Sequence, residues 1–215
     1  MKEEQVNKAK NFKTLNTHAV KGGLLFTGSS LMEQFPICEM AMSAGVKEPV
    51  YNRGIGGTTT DDFIREIDAV LLDLEPSKVF INIGTNDMTE SVYGDGWKDH
   101  LEANYDLILK TAKEKIPQAE IYCMAFYPVN HHLPWSTPEQ SAWFKERTQE
   151  NLAEMNSRVK ALAEKYGYHY IDVNEGLTDE NGEQKQEFAI DGVHMLAAGY
   201  EVVFQNLKPY LGIEK

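Results

Sequence analysis

The chain has 215 residues, 42% of them hydrophobic, enough for one domain with a sizeable core, and no shift in composition marks a second. Asp and Glu number 33 against 21 Lys and Arg, a net charge of −12, and no basic run is interleaved with aromatics. Nucleic acid and anionic membrane are therefore poor partners, because holding phosphates needs cationic side chains that displace counterions. The opening MKEEQVNKAKNFKTLN lacks the about 7–15 apolar residues of a secretory signal, and no stretch reaches the ~20 of a membrane span. A cytoplasmic protein is expected, one domain over 1–215 with residues 1–22 as a lead-in.

Taken in chain order, short apolar runs alternate with longer segments of helical period. GLLFTG reads as a first strand and gives out into Gly28-Ser29-Ser30. FPICEMAM surrounds Cys38 with apolar residues, as IYCMAF does Cys123, so two buried free thiols are expected rather than a disulfide or a cysteine metal site. PVYNRGI is a second strand, followed by NRGIGGTTTDD. Phe63, Ile64, Ile67, Val70, Leu71 and Leu74 then fall on one face of a helix. KVFINIG is a third strand, ending in GTNDM, and Leu101, Tyr105, Ile108, Leu109 and Ala112 repeat the helical stripe. AEIYCMAFYP is a fourth strand, and Pro128, Pro134 and Pro138 preclude a regular helix across the segment beyond it. Leu152, Met155, Val159 and Leu162 form the next stripe, YHYIDVN the fifth strand, and Tyr200, Val203, Phe204, Leu207 and Leu211 the closing helix.

Strand alternating with helix implies crossover units and a parallel sheet. Five units in this length predict an α/β protein, a three-layer α/β/α sandwich around a five-stranded parallel sheet of flavodoxin-like order 2-1-3-4-5. Ligands in such sheets bind beyond the carboxyl ends of the strands, and the loops there carry an unusual set of residues. Ser30 follows strand one, Gly57 strand two and Asn86 strand three, while Asp191 and His194 stand in DGVH beyond strand five. A serine hydroxyl needs a base, an imidazole needs a carboxylate to hold its other nitrogen, and acyl transfer needs donors where negative charge develops. Each residue has an ordinary reading too: Ser30 as a helix cap, Gly57 as a turn glycine, Asn86 as an Asx-turn residue, DGVH as a surface turn. Their joint placement favours chemistry.

No dinucleotide fingerprint or phosphate loop is present, and His131-His132 are adjacent rather than spaced for one metal, so no cofactor and no metal are expected. Tyr127, Trp135, Trp143 and Phe144 cluster in and after the proline-rich loop, as a substrate pocket or as a satellite core.

These blocks resemble those of the SGNH hydrolases, also called GDSL-type esterases and lipases. FTGSSL resembles the first, with Ser30; NRGIGGTTTDD the second, with Gly57; IGTND the third, with Asn86; DGVHMLAAGY the last, with Asp191 and His194. The resemblance implies ester hydrolysis through an acyl-enzyme: Ser30 as nucleophile, His194 as base, Asp191 orienting it, and the Ser30 N–H, Gly57 N–H and Asn86 side chain as oxyanion hole. One departure is Ser29, where the family name has aspartate; that aspartate is not the triad member, so the chemistry is kept. A small-molecule ester, carbohydrate-linked or otherwise small and with a short acyl group such as acetyl, is the expected substrate. A lysophospholipase or thioesterase, or a carbohydrate-binding protein without turnover, are the alternatives.

Overall fold

The computed structural model describes residues 1–213, those at 140 and 141 by backbone only; the last two residues of the expected domain lie outside the described ones. The strands are β1 (Leu24–Gly28), β2 (Val50–Asn52), β3 (Lys78–Asn82), β4 (Glu120–Met124) and β5 (His169–Ile171), paired in the order β2-β1-β3-β4-β5. All four pairings are parallel. β1 is buried along its whole length, and β3 and β4 at all but their first residue, which is why they read as continuous apolar runs. The register places Phe26, Phe80, Tyr122 and His169 side by side across four strands, and their rings stack at centroid distances of 4.6, 4.9 and 4.7 Å. The same register sets Gly28 opposite Asn82, so β1 and β3 give out together at the carboxyl edge.

The helices are α1 (Glu3–Asn16), α2 (Ser30–Glu33), α3 (Ile37–Ser43), α4 (Thr60–Arg65), α5 (Glu90–Tyr93), α6 (Trp97–Lys115), α7 (Pro138–Trp143), α8 (Gln149–Tyr166) and α9 (Ala197–Leu207). With the sheet they make the expected three-layer α/β sandwich, α6 packing on α8. No helix among the described residues is long and apolar enough to cross a membrane.

Three local expectations are corrected. The stripe from Phe63 to Leu74 is not one helix: α4 ends at Arg65 and a π-helical turn runs from Asp68 to Leu72. Asn16 Nδ2 donates to the Ala69 carbonyl at 2.9 Å and Thr27 Oγ1 to the Val70 carbonyl at 2.8 Å. Polar side chains entering the ladder widen it, and Asp73 N–H reaches back to Asp68. Cys38 is exposed on α3 rather than buried, whereas Cys123 is buried on β4; both are free. Leu211 lies in a 3₁₀ turn, 208–211, because Pro209 cannot continue α9. The lead-in carries a 14-residue helix, α1, which buries Gln5, Ala9 and Asn16 and so shows no apolar stripe in the sequence.

Candidate active site

β1 gives out at Gly28, where φ is +151° and a Cβ would stand 1.9 Å from the Asn82 carbonyl oxygen; only glycine fits. The Ser29 carbonyl then accepts the N–H groups of Met32 (3.1 Å) and Glu33 (2.9 Å), which starts α2 with Ser30 as its first residue. Tyr200 Oη donates to the Leu31 carbonyl at 2.7 Å and Asn52 Nδ2 to that of Met32 at 2.6 Å, anchoring the turn to α9 and β2. The two serines differ: Ser29 is fully buried, its hydroxyl unpaired among the described residues, and Ser30 faces the cleft.

Ser30 Oγ lies 2.8 Å from His194 Nε2, and His194 Nδ1 lies 2.7 Å from Asp191 Oδ2. Asp191 Oδ1 accepts the N–H groups of Val193 at 3.0 Å and His194 at 2.8 Å. Burial pushes the Asp191 carboxyl up, but the imidazole and these two amides outweigh it and hold the group well below the usual carboxylate range. It therefore remains an acceptor. The tight turn is clamped from outside by Asn130, whose N–H donates to the Gly192 carbonyl at 2.8 Å.

Across the cleft, the Ile55 carbonyl accepts the Thr58 hydroxyl at 2.7 Å, and Gly57 sits in the left-handed region at φ +71°. Among the described residues the N–H groups of Ser30 and Gly57 have no internal partner. Asn86 Nδ2 spends one hydrogen on the Thr58 carbonyl at 2.9 Å, which leaves the other free. Asp87 next to it is fully buried and accepts the Thr60 N–H, at 3.1 and 3.0 Å, and the Thr60 hydroxyl, so the loops after β2 and β3 are tied together. Burial raises the Asp87 carboxyl to about 7 against the pull of those donors.

In the sequence Arg147 gives no sign of its place, and neither does Gln5. The Arg147 side chain is buried, and Nη2 donates to Asn86 Oδ1 at 3.1 Å, which turns the Asn86 NH₂ the other way. Burial lowers its pKa to about 10, opposed by Asp191, Asp87 and Glu146, so the group is a cation at neutral pH beside the site. A lone arginine in KERTQ gave no signal of this.

A cavity of about 340 Å³ joins Ser30, Gly57, Asn86, His194 and Trp143 to Lys2, Gln5 and Lys8 of the N-terminal segment. A second, of about 360 Å³, shares Lys2, Gly57, Asn86 and Trp143 with it and extends the cleft along α5. Of the four aromatics expected at a pocket only Trp143 lines this cleft, its ring 6.3 Å from that of His194 and under Arg147. Tyr127 and Phe144 are buried in the core, and Trp135 is exposed, its indole N–H on the Ile190 carbonyl at 3.0 Å. His131 packs on Phe144 and His132 pairs with Glu183; among the described residues no three His, Cys, Asp or Glu side chains gather as a metal would need.

No curated protein matches the chain. Among solved structures, a candidate platelet activating factor from Streptococcus pneumonia is 29% identical, with 97% of this chain and 93% of that one covered at a TM-score of 0.84. A GDSL-like lipase from Bacteroides thetaiotaomicron shares 20% identity over 95% and 97% of the two chains, TM-score 0.75. A catalytic serine-to-alanine mutant of an acetylxylan esterase from Geobacillus stearothermophilus shares 17% over 91% and 97%, TM-score 0.67. Residues 37–202 match the GDSL-like Lipase/Acylhydrolase family. That stretch begins after Ser30 and contains Gly57, Asn86, Asp191 and His194. With the sheet order and most of the chain in agreement, the protein belongs to this family of ester hydrolases.

Proposed function

We propose that the protein is a serine esterase that works through an acyl-enzyme on small or carbohydrate-linked esters of a short acyl group such as acetyl. The observation that carries this reading is the unbroken line Ser30 Oγ, His194 Nε2, His194 Nδ1, Asp191 Oδ2, with steps of 2.8 and 2.7 Å, facing free N–H donors across the cleft. Ser30 Oγ attacks the ester carbonyl carbon and its proton passes to His194 Nε2. The carbonyl oxygen becomes an oxyanion and accepts from the Ser30 and Gly57 N–H groups and from Asn86 Nδ2. As the tetrahedral centre collapses, His194 returns the proton to the leaving alcohol oxygen, leaving an ester on Ser30. Water then attacks that ester with His194 again taking a proton, and the acid and free serine are released. Asp191, held ionised, keeps Nδ1 protonated and steadies the imidazolium.

The short-acyl preference is supported by the modest cavity with its charged wall of Lys2, Lys8 and Glu33. Trp143, 53% exposed at the rim, offers a flat apolar face of the kind sugars stack on, and one structural relative is named an acetylxylan esterase. Initial rates on p-nitrophenyl esters from acetate to long chains, beside labelling by a fluorophosphonate, test the reading. Labelling confined to Ser30 and rates highest at acetate are expected. A native chain that takes no label sinks the serine mechanism, and rates that climb with chain length replace the short-acyl assignment with a lysophospholipase-like one.

A further inference from the structure

The peptide that joins Gly56 to Gly57 is planar and trans, so its carbonyl and its N–H point in opposite directions. Whatever holds the Gly56 oxygen aims the Gly57 N–H. That oxygen is held from outside the strand loops: Gln5 Nε2 on α1 donates to it at 2.8 Å, across 51 residues of sequence. Gln5 is 8% exposed, and its Oε1 accepts the Lys2 N–H at 2.6 Å. Its amide cannot be turned over without losing both bonds. The preceding peptide is gripped as well, since Gly56 N–H donates to Glu33 Oε2 while Lys8 pairs with Glu33 Oε1. Two consecutive glycines have little intrinsic preference for one orientation of the peptide between them; the restraint comes from α1.

We propose that Gln5 is a positioning residue for ester hydrolysis, fixing the plane of the 56–57 peptide so that the Gly57 N–H meets the oxyanion. The inference rests on the serine-esterase reading above. Donation to the Gly56 oxygen also polarises the peptide and strengthens its N–H as a donor. It makes α1, which lies outside the segment matched by the family, a working wall of the site.

Gln5→Met keeps the length of the side chain and removes both bonds; Gln5→Glu keeps the acceptor for Lys2 N–H and removes only the donor to Gly56. With p-nitrophenyl acetate, Gln5→Met is expected to lower kcat roughly 10- to 100-fold with KM within about twofold, and Gln5→Glu to fall at least as far. Rates are taken per active site, counted by fluorophosphonate titration, so that loss of folded protein does not register as lost kcat. If Gln5 serves only the start of α1, Gln5→Glu matches the native enzyme and the proposal is overturned. Unchanged kcat in Gln5→Met, or a rise in KM alone, overturns it too. The native chain and Ser30→Ala run in the same assay separate the two layers: an inert native chain or an active Ser30→Ala condemns the esterase reading, whereas an active native chain, an inert Ser30→Ala and a fully active Gln5→Met condemn the role of Gln5 alone.

Discussion

The two sides of the cleft are built in different ways. Ser30, Gly57 and Asn86 stand a few residues beyond Gly28, Asn52 and Asn82, the last residues of β1, β2 and β3, so the register of a buried sheet places them. Asp191 and His194 lie far past the end of β5 at Ile171, in a turn outside the sheet. Polar clamps work there beside the buried side chains of Val193 and Met195: Ile190 N–H on the His194 carbonyl at 2.9 Å, Asn130 N–H on that of Gly192, and Asn130 Nδ2 on that of Gln184 at 2.7 Å. Position on one side follows from core packing, which many residues share. On the other it leans on a few hydrogen bonds, and those made by the Asn130 side chain are lost in a single substitution.

That contrast can be pressed at several points. The largest effect expected is from Ser30→Ala, a loss of roughly 10⁵- to 10⁶-fold in kcat with the circular dichroism unchanged, since the proposed mechanism makes the hydroxyl the attacking group. Ser29→Ala should keep most activity, because the buried Ser29 hydroxyl has no partner to lose among the described residues; the reverse pattern would move the nucleophile by one residue. Next is Asn86→Ala, expected to lower kcat by about 10²- to 10³-fold with a smaller change in KM, as the proposed oxyanion hole needs the amide when charge develops. A pure KM effect would make it a substrate contact instead.

Asn130→Ala tests the base side directly. It removes the bonds to the Gln184 carbonyl and the His132 N–H without touching substrate, at a cost of about 1–3 kcal/mol in stability for each buried partner stranded. A roughly tenfold fall in kcat is expected as the DGVH turn loosens, and an unaltered kcat would show that this turn holds itself. The smallest effect concerns Asp87. Its folded pKa of about 7 is raised from 3.8, so the native state binds this proton more tightly than the unfolded chain does. The stabilisation is complete below 3.8 and is lost as pH rises through about 7. The melting temperature of the native protein relative to Asp87→Asn should fall from about pH 4 to about pH 7 and level off above; a flat difference would show that Asp87 is ionised throughout in the folded state.

Much of this was legible in the sequence because it is written in local patterns. Apolar runs broken by glycine or polar clusters marked all five strands, and the loops beyond them held each residue of the Ser30–His194–Asp191 line. What was not legible depends on partners distant in sequence. The break after α4 is caused by Asn16 and Thr27, neither of which belongs to the helix they disrupt. Gln5 and Arg147 sit in polar stretches that look solvated until the fold buries them. Among the aromatics, Trp143 and Phe144 are neighbours in one segment, yet one is at the cleft and the other in the core. No periodicity separates them in so short a stretch.

The hydrogen bond between Ser30 and His194 joins residues 164 positions apart. During synthesis, at about 5–20 residues per second, the proposed nucleophile is made many seconds before its proposed base. Through that interval Ser30 is an ordinary alcohol, because without an adjacent imidazole nothing removes its proton. The sheet itself is complete in sequence by Ile171, so a chain stopped between there and Asp191 would carry all five strands and still be chemically silent. On the proposed mechanism reactivity of Ser30 is thus a late event, and the appearance of fluorophosphonate labelling along a series of stalled or refolding chains would time the arrival of the last turn rather than the formation of the core.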